Sequence, residues 1–191
     1  MRKALAVLIM IGICSIYFIA MRSKGVSVGT EKAEASLKTS IEMDKQIKEI
    51  TEKINENYPE TPKLLMEVAN EIMQVQYSKE WEPESELENQ TLLALRLLYS
   101  KELLMLNSYE KQIENLRMEL IKNHEDGIYL KETRIDSIKF ISADNAVIMV
   151  FNETNKGTQK REYTLVKEED LWKIYSWKDL NQEGEDTYLE E

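Results

Sequence analysis

Cysteine is almost absent. Cys14 is the only one, and it lies inside an apolar run near the N-terminus. The chain beyond that run therefore has no disulfide, no thiol nucleophile and no thiolate metal site, and its core is held by packing alone. Histidine is as scarce: His124 stands alone, which excludes a histidine-rich zinc site. With six glycines in 191 residues, there is no glycine-rich phosphate loop, and no nucleophile elbow or zinc helix either. Positive charge is the minority sign, 25 Lys and Arg against 35 Asp and Glu. Four of the basic residues, Arg2, Lys3, Arg22 and Lys24, flank the apolar run, so the remainder is more acidic still. That argues against nucleic acid and against docking on anionic lipid, both of which need basic patches.

What is present begins with "ALAVLIMIGICSIYFIAM", Ala4 to Met21, a stretch without a charge. Its length is at the lower end of what spans a bilayer core as a helix. It ends "IYFIAMRSK", without the small residues at alternate positions that a signal-peptide cleavage site needs. Residues 1–24 are therefore expected to be a retained transmembrane anchor with basic flanks. Residues 4–21 are expected to contact the membrane. Cys14 lacks the small preceding residue of a lipoprotein site. A short N-terminus before a first anchor stays inside, which places the rest of the chain outside the cytoplasm; the charge bias itself is slight.

Residues 25–56 read as a linker, "GVSVGT", and a charged amphipathic helix from Glu31. Leu37, Ile41, Met43, Ile47, Ile50 and Ile54 recur on it at mostly three- and four-residue steps. Asn57-Tyr58-Pro59 ends that helix, because a residue before proline is pushed out of the helical region. Thr61 then caps a helix with Pro62 at its first position and Leu64, Leu65, Val68, Ile72, Met73 and Val75 on its buried face. A turn around Pro83 leads to one long helix, Ser85 to Asn107, with Met105 among its apolar positions. Ser108 caps the next, which Gly127 ends. From Ile128 the period changes. "RIDSIKFIS", "NAVIMVFNE", "QKREYTLVKE" and "LWKIYSWKD" read as four strands joined by short turns, hence antiparallel. In the last, regular alternation sets Trp172 and Trp177 on opposite faces. The expectation for residues 57–180 is an α+β domain of three to four helices packed on a four-stranded antiparallel sheet. Residues 181–191, "NQEGEDTYLEE", read as an acidic disordered tail.

Candidate chemistry is thin. His124, Glu125 and Asp126 could serve acid–base catalysis, but sit in a hydrophilic turn at a helix end. Asp136 would be a base if it pointed into an apolar cup of the sheet, an outcome less expected than an exposed strand position. No residue is assigned as catalytic, and neither a cofactor nor a metal is expected. Tyr99, Tyr163, Trp172, Tyr175 and Trp177 are the candidates for a pocket or interface.

"NYPETPKLLMEVANEIMQVQYS", "ALRLLYSKELLMLN" and the closing "LWKIYSWK" together resemble a group of uncharacterised single-pass bacterial membrane proteins. In these a Tyr-Pro-x-Thr-Pro helix start precedes a cystatin-like/NTF2-like α+β domain. The resemblance implies a bacterial cell membrane location with the C-terminal domain extracytoplasmic, and no catalytic residue. The leading expectation is a membrane-anchored extracytoplasmic interaction module with an unidentified protein partner, serving assembly of an envelope complex; a homodimer is compatible with it. The alternative is a small-ligand receptor using the cavity between sheet and helices, and an acid–base enzyme on Asp136 or His124 with Tyr163 comes third.

Overall fold

The structure, a computed structural model, describes residues 27–83 and 86–180. Helices α1 (Ser27–Glu56), α2 (Pro62–Gln76), α3 (Leu87–Leu98), α4 (Lys101–Leu106) and α5 (Tyr109–Glu125) precede strands β1 (Leu130–Phe140), β2 (Asn145–Thr154), β3 (Thr158–Glu168) and β4 (Leu171–Asp179). The strands form one antiparallel sheet in the order β1-β2-β3-β4. The expected class, α+β with helices on a four-stranded antiparallel sheet, is what the chain adopts. The expected anchor, residues 1–24, lies outside the described residues, as does the tail. Among the described residues no helix is long and apolar enough to cross a membrane.

The chain divides into two compact units between Ile41 and Glu42. Before that division, α1 is already helical from Ser27, within the stretch read as a flexible exit, and its Leu37 and Ile41 are exposed. After it, Met43, Ile47, Ile50 and Ile54 are buried at helical spacing. The compact unit that begins at Glu42 thus takes in the C-terminal half of α1.

The start of α2 is built as its residues dictate. Thr61 is extended (φ −126°, ψ 154°), its side chain accepts the Leu64 N–H at 3.2 Å, and Pro62 occupies the first turn, where its missing N–H costs nothing. Tyr58 folds back, and its hydroxyl donates to the Trp172 carbonyl at 2.8 Å. The buried face is Leu65, Met66, Ala69, Ile72, Met73 and Val75; Leu64 is exposed.

The long helix expected over 85–107 is two. Tyr99 is extended (φ −81°, ψ 148°) and pairs with Ile174 as an isolated parallel bridge. The buried Ser100 donates its N–H to the Ile174 carbonyl at 2.9 Å, and its hydroxyl accepts from Leu103 at 3.1 Å to start α4. An edge strand offers unpaired backbone groups, and satisfying one at β4 outweighs continuing the helix. In consequence Met105, expected inside, is exposed.

The sheet faces the helices with Ala146, Ile148 and Val150 of β2, Tyr163 and Leu165 of β3, and Trp172 and Ile174 of β4, all buried. A bulge corrects the expected alternation in β4. Leu165 pairs with Ile174 but Thr164 pairs with Ser176, so Tyr175 is the extra residue. Trp177 then sits opposite Tyr163, on the same face as Ile174 and Trp172 rather than the reverse one. The β3–β4 hairpin turns on Glu169 (φ 50°) and Asp170 (φ 67°), the two positive angles a tight primed turn requires. At the end of α5, Gly127 (φ 63°) takes the left-handed position expected of it.

Candidate functional site

The helix-facing side of the sheet is not filled along its whole length. Between β3 and β4 on one side and α2, α3 and α5 on the other lies a cleft of about 230 Å³. The sheet contributes Arg161, Tyr163, Ile174 and Trp177; α2 contributes Met73 and Gln76, with Tyr77 just beyond; α5 contributes Gln112, Asn115, Leu116 and Glu119. A second hollow of about 180 Å³ shares Met73, Tyr77, Glu119 and Arg161 with it and continues to Asn152 and Gln159.

One wall is aromatic. The Trp177 ring lies 5.8 Å from Tyr99 and 6.4 Å from Tyr163, at interplanar angles of 36° and 40°. Tyr99 and Tyr163 are buried, whereas Trp177 is 42% exposed. The Tyr163 hydroxyl donates to the Met73 sulfur at 3.5 Å. Burial pushes the phenols of Tyr99 and Tyr163 well up, with Arg161 pulling both the other way. Tyr77 is raised as well, by burial first and then by the Glu119 carboxylate beside it.

The floor is polar. Arg161 forms a forked pair with Asp179, Nε to Oδ1 at 2.6 Å and Nη2 to Oδ2 at 3.2 Å. Burial works against its charge, but Asp179 and Tyr163 outweigh it and hold the guanidinium above its ordinary value. Three amides, Asn70, Gln76 and Asn152, are buried with no hydrogen-bond partner for the side-chain oxygen; of these Gln76, 3% exposed, lines the cleft and Asn152, 6% exposed, lines the second hollow. A buried acceptor left unpaired costs about 1–3 kcal/mol. Among the described residues no three His, Cys, Asp or Glu side chains gather as a metal cage.

Of the five residues singled out from the sequence, Tyr99, Tyr163 and Trp177 line this cleft. Trp172 does not: it is buried under Tyr58 and meets Phe140 edge-on at 6.0 Å. Tyr175, at the bulge, donates its hydroxyl to Glu102 at 3.0 Å. The acid–base candidates are not brought together with Tyr163. Asp136 is the extra residue of a β1 irregularity, exposed and 3.8 Å from Arg134. His124 is exposed and meets the Trp81 ring edge-on at 5.9 Å in a different hollow. Sequence reading missed Gln76, Glu119, Asn152 and Arg161. A signal existed for the last, since Arg161 shares the alternation of Tyr163 and Leu165 and so stands on an apolar face.

The profile of a family described as a domain of unknown function, DUF6715, matches residues 1–177. The chain belongs to that family. No curated protein matches it. Among solved structures, the crystal structure of the intermembrane space region of the chloroplast protein ARC6 is similar at 12% identity and a TM-score of 0.35. The match covers 61% of this chain and 91% of that one.

Proposed function

We propose that this DUF6715 protein is a membrane-anchored, extracytoplasmic binding module whose ligand sits in the cleft between the sheet and helices α2, α3 and α5. The observation that carries the reading is Gln76, a cleft-lining amide that is buried with its oxygen unpaired. Folding leaves such a group unsatisfied only at a cost, and a ligand or bound water that donates to it removes that cost. Cavities of this kind, apolar with a few convergent polar groups, are the usual form of small-molecule sites. The fold is in this reading a cystatin-like/NTF2-like one, with the sheet as the cup and the helices as its cover. The cleft favours the receptor reading over catalysis, since its one carboxylate, Glu119, is set beside Tyr77 rather than beside a second acid or base.

The anchor belongs to the same proposal. Eighteen uncharged residues from Ala4 to Met21 favour a spanning helix with the domain outside. Two experiments test the whole. Full-length protein in native membranes should resist alkaline extraction, and external protease should remove the domain. Fragments screened by ligand-observed NMR against the chain in detergent should bind and should perturb Trp177 fluorescence. Fragment binding that is indifferent to Trp177→Ala and Gln76→Leu would refute the cleft as the site.

A protein partner is the second reading. It is favoured by Phe140, Ile141 and Leu171, all exposed and all at the β1–β2 and β3–β4 turns. Charge substitutions there should abolish crosslinks formed in membranes if that surface is used.

A further inference from the structure

Resting on the cleft as the binding site, we propose that the ligand is a neutral sugar ring, a pyranose that stacks on Trp177 and hydrogen-bonds to the amides opposite. Three observations lead there.

The first is the shape of the aromatic wall. Trp177 lies against Tyr99 and Tyr163 at tilts of 36° and 40°, with ring centroids 5.8 and 6.4 Å away. A cage for a quaternary ammonium needs several ring faces turned inward around the cation; here Tyr99 and Tyr163 are buried and support a single exposed ring. Trp177, at 42% exposure, keeps ring area free for a ligand. A pyranose has one face of C–H groups that fits such a surface and a rim of hydroxyls that does not.

The second is the mixture of donors and acceptors across from it. Gln76 offers an oxygen in need of a donor. The Gln112 oxygen is already taken by Arg96 at 2.5 Å, which leaves its amide N–H groups to donate. Glu119 can only accept when ionised. A hydroxyl is the group that donates to the first and third and accepts from the second without changing its charge. An acyl chain would satisfy none of them and would leave the buried Gln76 oxygen unpaired, at a cost.

The third is charge. Among the described residues Arg161 is the only Lys or Arg lining the cleft, and Asp179 occupies its fork. Glu119 lines the cleft from α5. Arg96, behind the lining, is turned to Gln112 and Asn107, so the lining itself offers no unpaired cation with which to select a phosphate or carboxylate. The volume, about 230 Å³, is below the ~300–1,000 Å³ of sites for drug-sized ligands, which suits one ring of a longer glycan with its neighbours outside.

The test uses the full-length chain in a detergent without a sugar headgroup. The probes are neutral mono- to trisaccharides of gluco, galacto, manno and N-acetylhexosamine configuration, with choline, inorganic phosphate and a capped tyrosyl tripeptide as other classes. Saturation-transfer NMR and Trp fluorescence read binding. We expect at least one saccharide to bind, with transfer strongest to the C–H face of one ring. Trp177→Ala should weaken it by about tenfold, the loss of one stacking surface. Gln76→Leu should weaken it comparably while leaving the unliganded protein as stable or more so, because it removes the unpaired oxygen. Trp172→Phe, outside the cleft, should leave the affinity within about threefold. Binding of choline, phosphate or the peptide at the cleft with no saccharide would overturn the sugar assignment and leave the binding module standing. A cleft at which no probe of any class binds would overturn both.

Discussion

Replacing each of the two C-terminal tryptophans by alanine tests the bulge that organises the last strand. A tryptophan buries up to about 250 Å², and apolar area is worth about 25 cal/mol per Å². Trp172 is 6% exposed, so nearly all of that is at stake; large aromatics removed from cores cost about 3–5 kcal/mol in practice. Trp177 is 42% exposed and keeps a little over half of the contact, so its loss should cost about 2–3 kcal/mol, the same fraction of that practical range. A strand without the bulge would turn Trp177 to the outer face, and its removal would then cost nearly nothing. Urea titrations of the full-length chain in micelles, followed by far-UV circular dichroism, separate the two. A second variant sharpens the result. Deleting Tyr175 leaves Trp177 opposite Tyr163 and Ser176 opposite Thr164, so the sheet should survive at a cost of about 1 kcal/mol for the lost Glu102 hydrogen bond. Deleting Lys173 instead reverses Trp172 and should unfold the edge. Near-zero loss for Trp177→Ala, or a Tyr175 deletion as damaging as the Lys173 one, would refute the register.

Single sites carry the remaining expectations. Asp170→Gly should raise stability by about 1 kcal/mol, because a β-carbon at φ 67° is strained and glycine is not; a lower urea midpoint would contradict it. Thr61→Ala should cost about 1 kcal/mol through the lost Leu64 cap, while Pro62→Ala should be milder, as thermal melts of the two can show. Tyr58, Tyr77, Tyr99 and Tyr163 all have phenol pKa values raised above the ordinary 10.0, burial being the first cause in each. A raised value means the stability they contribute is whole below pH 10 and falls as pH climbs above it. Ultraviolet titration should therefore show these phenols ionising only together with alkaline unfolding; four that titrate freely in the folded chain would disprove their burial.

Elements whose signals are local were readable from the sequence. Thr61-Pro62 and Ser108 fix helix starts through groups within three residues, and Gly127 fixes a stop through its own φ. The period change at Ile128 marked the sheet. What failed depended on partners far along the chain. Leu98-Tyr99-Ser100-Lys101 carries enough helical propensity to continue, and only the free edge of β4, some seventy residues on, breaks it. The bulge at Tyr175 has the same origin. Alternation in "LWKIYSWK" is indistinguishable from a regular strand until β3 and α4 claim neighbouring residues for opposite sides.

The cleft shows why aromatic content alone was an incomplete guide. Five aromatic residues were singled out, and the bulge, which no pattern announced, divided them. It turned Trp177 inward to Tyr163 and Tyr99, and left Tyr175 to the α4 side. The more informative residue was the misplaced polar one. Arg161 alternates in step with Tyr163 and Leu165, and a cation on a core-facing position must find a partner or lie at a site. It does both: Asp179 pairs with it, and the cleft opens above it. Gln76 repeats the case on α2, one residue past Val75 on an apolar face, buried with its oxygen unpaired. Asn70, buried on the same helix with its oxygen unpaired, does not line the cleft, so what marks the floor is Gln76 on α2 together with Arg161 across from it on β3, while the aromatic residues mark only the wall.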